Sequence, residues 1–234
     1  MVLNEQDFHQ YMMCPTKYHI DKNTKLTVAE EPSMQKLLMQ VANYFFLQLL
    51  NGKVPTIKQL QTKWDSVCEA NQNYIDSKKN INGWSLILKL VRWAEEEQII
   101  IGDVNTPFSL IIDGHQFNGI IPAVLIKPNK QIIILDLSFS EKMPDKLDID
   151  TKLKYSIYME GFKSIYGRYP DFINVHSVKY NQDIITMRGP EDYARMRSAI
   201  KNICLGIQHN IFYPRETIMC RTCSVREYCK YWHD

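Results

Sequence analysis

The chain has 234 residues, 45% of them apolar and 23% charged, with a formal net charge of +2 and a pI near 8.1. That is enough apolar material for one sizeable core, and it excludes a disordered or collagen-like chain. The near-neutral charge permits a nucleic-acid partner without announcing one.

Asn4 to Met13 is helix-like and breaks at Cys14-Pro15. From Ser33 to Leu50 apolar residues recur at three- and four-residue spacing, among them Leu37, Leu38, Val41, Phe45 and Leu49, with Ser33 as N-cap and Gly52 as the stop. A second helix over about 56–71 sets Leu60, Trp64, Val67 and Cys68 on one face, and a third is expected over 84–98. The texture then changes. β-Branched residues cluster from Ile99 to Ile112, interrupted by Pro107, and Asp113-Gly114 signals a hairpin turn. Gln116 to Lys127 and Gln131 to Phe139 are strand-like, and Ile132-Ile133-Ile134-Leu135 is apolar on both faces, as a central strand is. A helix over 148–166, strands over 172–180 and 184–188, a helix over 190–209 and a cysteine-rich tail from Phe212 complete the chain. This order predicts an α/β fold with a central mixed β-sheet flanked by helices, formed as one domain over 1–234. Its parts are a helical region at 33–98, a core at 99–211, and the two ends, 1–20 and 212–234.

The N-terminus Met1-Val2-Leu3-Asn4-Glu5-Gln6-Asp7 is polar and acidic, without the apolar core of a signal peptide, and no apolar run reaches membrane-spanning length. The expectation is a cytoplasmic chain with no membrane partner. In that compartment clustered thiolates serve metals more often than they pair with each other. Of the six cysteines, Cys220-x2-Cys223-x5-Cys229 has ligand spacing: two thiolates grip one metal centre from a tight turn, and the third lies within reach. A tetrahedral zinc or a cubane cluster needs a fourth soft ligand. Cys68 and Cys204 sit on apolar helix faces and read as buried small hydrophobes. His19, His209 and His233 are weaker candidates. Cys14, at a helix end before a proline, suits a ligand, and a metal held by Cys14 and the tail would clasp the chain's ends across a loop of roughly 200 residues.

Three stretches carry a resemblance. The first is Phe8-His9-Gln10-Tyr11-Met12-Met13-Cys14-Pro15-Thr16-Lys17-Tyr18. The second is Ile211-Phe212-Tyr213-Pro214 followed by Cys220-Arg221-Thr222-Cys223 and Arg226-Glu227-Tyr228-Cys229. The third is Phe117-Asn118-Gly119-Ile120-Ile121-Pro122, then Ile134-Leu135-Asp136-Leu137-Ser138, then the helix from Tyr155 to Gly161. Together they resemble the iron–sulfur branch of the PD-(D/E)xK nuclease superfamily, the RecB-like exonucleases associated with CRISPR systems and the C-terminal nuclease of the AddB helicase–nuclease subunit. The resemblance implies a restriction-endonuclease-like core and a 4Fe–4S cluster, or zinc, held by Cys14, Cys220, Cys223 and Cys229. It also implies DNA as a partner, single-stranded or duplex.

Nuclease chemistry in that family uses carboxylates to hold Mg²⁺ or Mn²⁺ and a lysine to activate water. Here the pattern departs. Pro122 stands where the family has an aspartate. Asp136-Leu137-Ser138 replaces an acidic residue, a spacer and a lysine. Lys154 stands in place of a glutamine four residues before the retained Tyr158. The helix at 33–50 lacks the family's histidine, Asn43 being its nearest polar candidate. One carboxylate leaves the charge of a divalent ion largely uncompensated, so Asp136 is expected to be vestigial, with the Lys154 ammonium paired to it in the metal's place. The alternative is a migrated active site drawing on Asp113, Glu141 or Lys142, which read more simply as solvated loop charges. The expected function is a catalytically degenerate protein that binds nucleic acid or acts as a scaffold in DNA replication, recombination or transcription. Active exonuclease and protein-interaction subunit are the alternatives. Lys142, Lys152, Arg195 and Arg197 are candidate phosphate contacts, although Asp145, Asp148, Asp150, Glu191 and Asp192 interleave and give a mixed solvated face. The richness in Ile, Asn and Lys fits an AT-rich genome such as that of a phage.

Overall fold

The computed structural model describes residues 1–23 and 32–232. The chain divides into two compact units: a terminal unit of Met1–Glu30, Ser109–Gly119 and Pro190–Asp234, and a central unit of Glu31–Phe108 and Ile120–Gly189.

The central unit begins with three helices, α3 (Met34–Leu50), α4 (Ile57–Ala70) and α5 (Ser77–Glu96). Ser33 and Thr56 cap the first two through hydrogen bonds to Lys36 N and Gln59 N. Helix α5 starts seven residues earlier than the expected Trp84. Its first two turns carry a single exposed isoleucine, Ile81, among polar residues and a glycine, so no apolar period marks them; Asp76 caps them by accepting from Lys79 N. The strands follow: β2 (Ile100–Ile112), β3 (His115–Ile126), β4 (Ile132–Ser138), β5 (Phe172–Ser177) and β6 (Gln182–Thr186). In this unit β3 runs antiparallel to β4 over Ala123–Ile126, β4 runs parallel to β5, and β5 runs antiparallel to β6. β2 pairs with β3 and runs through Pro107 instead of breaking there. An outer strand tolerates a residue that cannot donate to a ladder.

One sheet face packs the core. Leu38, Val41 and Phe46 of α3, Leu60 and Trp64 of α4, and Leu90 and Trp93 of α5 meet Ala123, Leu125, Ile133, Leu135 and Leu137. The alternating residues, Asp136 among them, face the other way. The helix expected over 148–166 is two helices, α6 (Lys146–Thr151) and α7 (Leu153–Tyr166), with Lys152 extended between them. The break is stabilised on both sides. Thr151 Oγ1 bonds back to Leu147 O, and Arg188 donates to Ile149 O and Lys152 O.

In the terminal unit, β1 (Val2–Asn4) lies parallel to Gln116–Asn118 of β3. Asp113 and Gly114, both at positive φ, close the β2–β3 hairpin as a two-residue primed turn requires. Helix α1 (Glu5–Met13) starts at a capping box made by Asn4 and Asp7. The break at Cys14-Pro15 is a junction, because α2 (Pro15–Asn23) begins on the proline, whose missing N–H has no partner to lose there. α8 (Pro190–Gln208) packs on α1, and the tail continues in 3-10 turns over Ile218–Thr222, Arg226–Tyr228 and Lys230–Trp232.

Candidate functional site

Asp136 sits two residues before the C-terminal end of β4, in register with Val175 of β5. The β3–β4 ladder ends at Ala123↔Leu135, and one step beyond it Pro122 falls opposite Asp136. The position that resemblance assigns to a metal-binding aspartate is therefore next to Asp136, occupied by a side chain with no donor atom. Asp136 Oδ2 accepts two hydrogen bonds, from Lys154 Nζ at 2.6 Å and from the Tyr155 hydroxyl at 3.0 Å. Both donors come from the first turn of α7, which the helix break at Lys152 aims at the strand end. The Asp136 side chain is only 14% exposed and that of Lys154 35%. The Lys154 ammonium also lies 4.8 Å from the Tyr155 ring centre and 5.9 Å from that of Tyr158, which is buried and packed edge-on against Tyr155. The Arg188 guanidinium is 5.7 Å from the same Tyr155 ring. The Asp136 carboxylate thus meets one ammonium and one hydroxyl at hydrogen-bond distance.

The Tyr155 hydroxyl bond to Asp136 is a contact that no local sequence pattern announces. A second network lies nearby. Asp150 accepts from Lys146 and from Thr186 Oγ1, and Arg188 donates to Thr186 Oγ1. The Lys146 bond leads the causes that hold the Asp150 carboxyl below its ordinary range, with the Thr186 bond helping and burial opposing. The loop charges also have partners: Glu141 pairs with Lys179, and Asp113 lies 3.7 Å from Lys201. Asn43 lies half-buried on α3. Lys142 and Lys152 belong to the central unit, Arg195 and Arg197 to the terminal one, and Arg195 contacts Asp192.

Deeper in the central unit is a pair that the sequence did not flag. His176 on β5 is buried, stacks on Trp93 with ring centres 4.0 Å apart, and shares a 2.8 Å hydrogen bond between Nδ1 and Asp183 Oδ1. Burial raises the Asp183 carboxyl, and hydrogen bonds from His176 and Asn174 overcome this and hold it below the ordinary carboxylate range.

All four candidate cluster cysteines lie in the terminal unit and are half-buried. The segments that carry them are tied together. Thr16 N donates to Tyr213 O and Thr16 Oγ1 to Phe212 O, the Tyr11 hydroxyl donates to Ile211 O, and Arg215 donates to Met12 O. Cys220 Sγ accepts from Thr217 N and contacts Arg215 O at 3.7 Å, which leads from the Met12 carbonyl beside Cys14 to the first tail thiol. Four thiols suit a zinc ion or an iron–sulfur cluster chemically. Their side chains are not gathered around a common point, however; among the described residues no three His, Cys, Asp or Glu side chains are grouped to hold a metal ion. Cys204 is fully buried and Cys68 packs against the core, and burial pushes both thiols up. His19 stacks on Phe212, and His233 lies outside the described residues.

No sequence-family model matches the chain, and no curated protein matches it in sequence. Among solved structures, a candidate exonuclease from Eubacterium rectale aligns with a TM-score of 0.59 at 12% identity, over 97% of this chain and 87% of its own. The protein SSO0001 aligns with a TM-score of 0.47 at 10% identity, over 98% of this chain and 86% of its own. Among the described residues no helix is long and apolar enough to cross a membrane. The chain has a nuclease-like α/β fold, with a mixed sheet flanked by helices.

Proposed function

We propose that this nuclease-like fold binds nucleic acid without hydrolysing it and works as a subunit in DNA replication, recombination or transcription. The observation that carries this reading is the Lys154 ammonium 2.6 Å from Asp136 Oδ2, with Pro122 in register opposite. An ammonium neutralises the carboxylate but cannot polarise a phosphoryl oxygen or lower the pKa of a bound water as a divalent ion does. Cations around Tyr155 still attract phosphate. The fold similarity to a candidate exonuclease supports a nucleic-acid partner.

The test incubates end-labelled single-stranded and duplex DNA with the protein and Mn²⁺, beside D136A. The reading expects binding, weakened by added salt, and no cleavage above a protein-free control. Cleavage that D136A abolishes would overturn it in favour of an active nuclease with a rearranged site.

The thiols are part of the same proposal. Cys14, Cys220, Cys223 and Cys229 would hold a 4Fe–4S cluster as a structural clasp, supported by the hydrogen bonds that tie residues 11–16 to 211–215. Anaerobically purified protein should then be brown, and C14S should lose its iron. A colourless protein containing zinc would replace the cluster and keep the ligands.

A further inference from the structure

A cavity of about 280 Å³ lies in the central unit between α3, the first turns of α5 and the loop that follows β4. The floor is apolar: Leu38 from α3, Leu86 from α5, and Phe139 just past the end of β4. The mouth is polar and exposed: Lys79 and Asn82 from the first turns of α5, and Ser140 from the loop after β4.

The walls are held in place. The Gln35 side chain of α3 donates to Leu137 O and accepts from Phe139 N, so it acts as one more strand residue at the end of β4 and fixes Phe139. Glu141 is tied to Lys179, its carbonyl accepts from the Tyr180 hydroxyl, and Lys89 donates to Lys179 O. Such bracing is what a site needs if its shape is to be set before the ligand arrives. Gly83 lines the cavity because no side chain fits there; a Cβ would come within 2.4 Å of the Trp64 ring.

We propose that this cavity receives one unpaired nucleobase of a single-stranded nucleic acid. A flat, apolar face with a hydrogen-bonding edge and a trailing phosphate matches an apolar floor, an amide and a hydroxyl at the rim, and an exposed ammonium beyond them. The inference rests on the nucleic-acid reading above and sharpens it, since a base inside a duplex stack cannot enter.

The test uses a short single-stranded deoxyadenosine oligonucleotide carrying one 2-aminopurine, and measures anisotropy and 2-aminopurine emission together. N82W places a large ring across the mouth from an exposed position, so the fold should survive it; near-identical circular dichroism and thermal midpoint check this. A cavity in use predicts a change in 2-aminopurine emission on binding, lost in N82W, with affinity lowered about tenfold. It also predicts weaker competition by the same sequence as a duplex. Unchanged affinity and emission in folded N82W, with wild-type binding intact, would overturn the cavity and leave nucleic-acid binding standing. No binding by wild-type protein would remove both.

Discussion

The Asp136–Lys154 pair makes an asymmetric prediction. Breaking a fully buried ion pair from one side costs about 3–5 kcal/mol, and losing an exposed one costs about 0.2–1 kcal/mol. With side-chain exposures of 14% and 35%, this pair lies between them. K154M keeps most of the stem that packs on Tyr155 and removes the charge. It leaves the deeper partner, the Asp136 carboxylate, with the Tyr155 hydroxyl alone. The expected loss is about 2 kcal/mol, or about 4–8 °C in Tm for a chain of this size. D136N leaves the shallower partner, which re-enters water, while the new amide oxygen still accepts from Tyr155, so about 1 kcal/mol is expected. The double variant D136N/K154M should recover about 1–2 kcal/mol relative to the sum of the singles. Urea unfolding at pH 7 followed by tryptophan emission is the assay, because Trp64 and Trp93 lie in the core of the unit that holds the pair. A coupling below about 0.5 kcal/mol, or a D136N more destabilised than K154M, would refute the placement of the ammonium on the carboxylate.

Three further outcomes follow from the packing and titration of other residues. A Cβ at Gly206 would lie 2.1 Å from the Tyr11 hydroxyl oxygen and 3.0 Å from the ring carbon bearing it; G206A should therefore cost about 1–3 kcal/mol, and Y11F should relieve part of that cost in thermal unfolding, whereas simple additivity would place Tyr11 elsewhere. Asp183 has a folded pKa below its unfolded value. Its contribution is thus present above the ordinary carboxylate pKa of about 3.9 and fades as pH falls through the lower folded value; the stability gap between wild type and D183N should shrink below about pH 4, and a gap that widens over that range would contradict the hydrogen bonds. Burial pushes the Cys204 and Cys68 thiols up, so in native metal-free protein iodoacetamide at pH 8 should modify Cys14 and the tail cysteines first, with Cys204 slowest and all six reacting in denaturant; mass mapping that finds Cys204 among the fastest would show its helix face to be open.

The helices that were legible owe their stability to an apolar stripe. α3 shows Leu37, Leu38, Val41, Phe45 and Phe46 at helical spacing, and all are buried. The first turns of α5 were invisible for the converse reason. Ser77 to Gly83 carries no stripe, and what holds it is the Asp76 cap, the Trp64 Nε1 bond to Asn80 Oδ1 and the close seating of Gly83 on Trp64. The split of the expected 148–166 helix is of the same kind. The carbonyls freed at Ile149 and Lys152 are taken up by Arg188, which lies 39 and 36 residues further on, and no local pattern announces such a partner. Pro107 misled in the other direction, because its cost depends on whether β2 has a neighbour on each side. The central strand was readable because Ile133, Ile134 and Leu135 are all buried, on opposite faces.

The candidate site divides along the same line. Asp136 and Lys154 could be picked out by position, whereas the Tyr155 hydroxyl and the guanidinium of Arg188 enter only through the folded chain. Pro122 is the most instructive residue. It ends the β3–β4 ladder one step short of Asp136, so the missing N–H costs no bond to β4, and the backbone of Asp136 pairs with β5 instead. A carboxylate at residue 122 would have stood beside Asp136 and needed a cation between the two. With proline there, one charge remains, and one ammonium neutralises it. The lysine on α7 and the proline on β3 are thus two sides of a single electrostatic solution. In this arrangement the ammonium and the Tyr155 hydroxyl satisfy the carboxylate and seat the first turn of α7 on the end of β4.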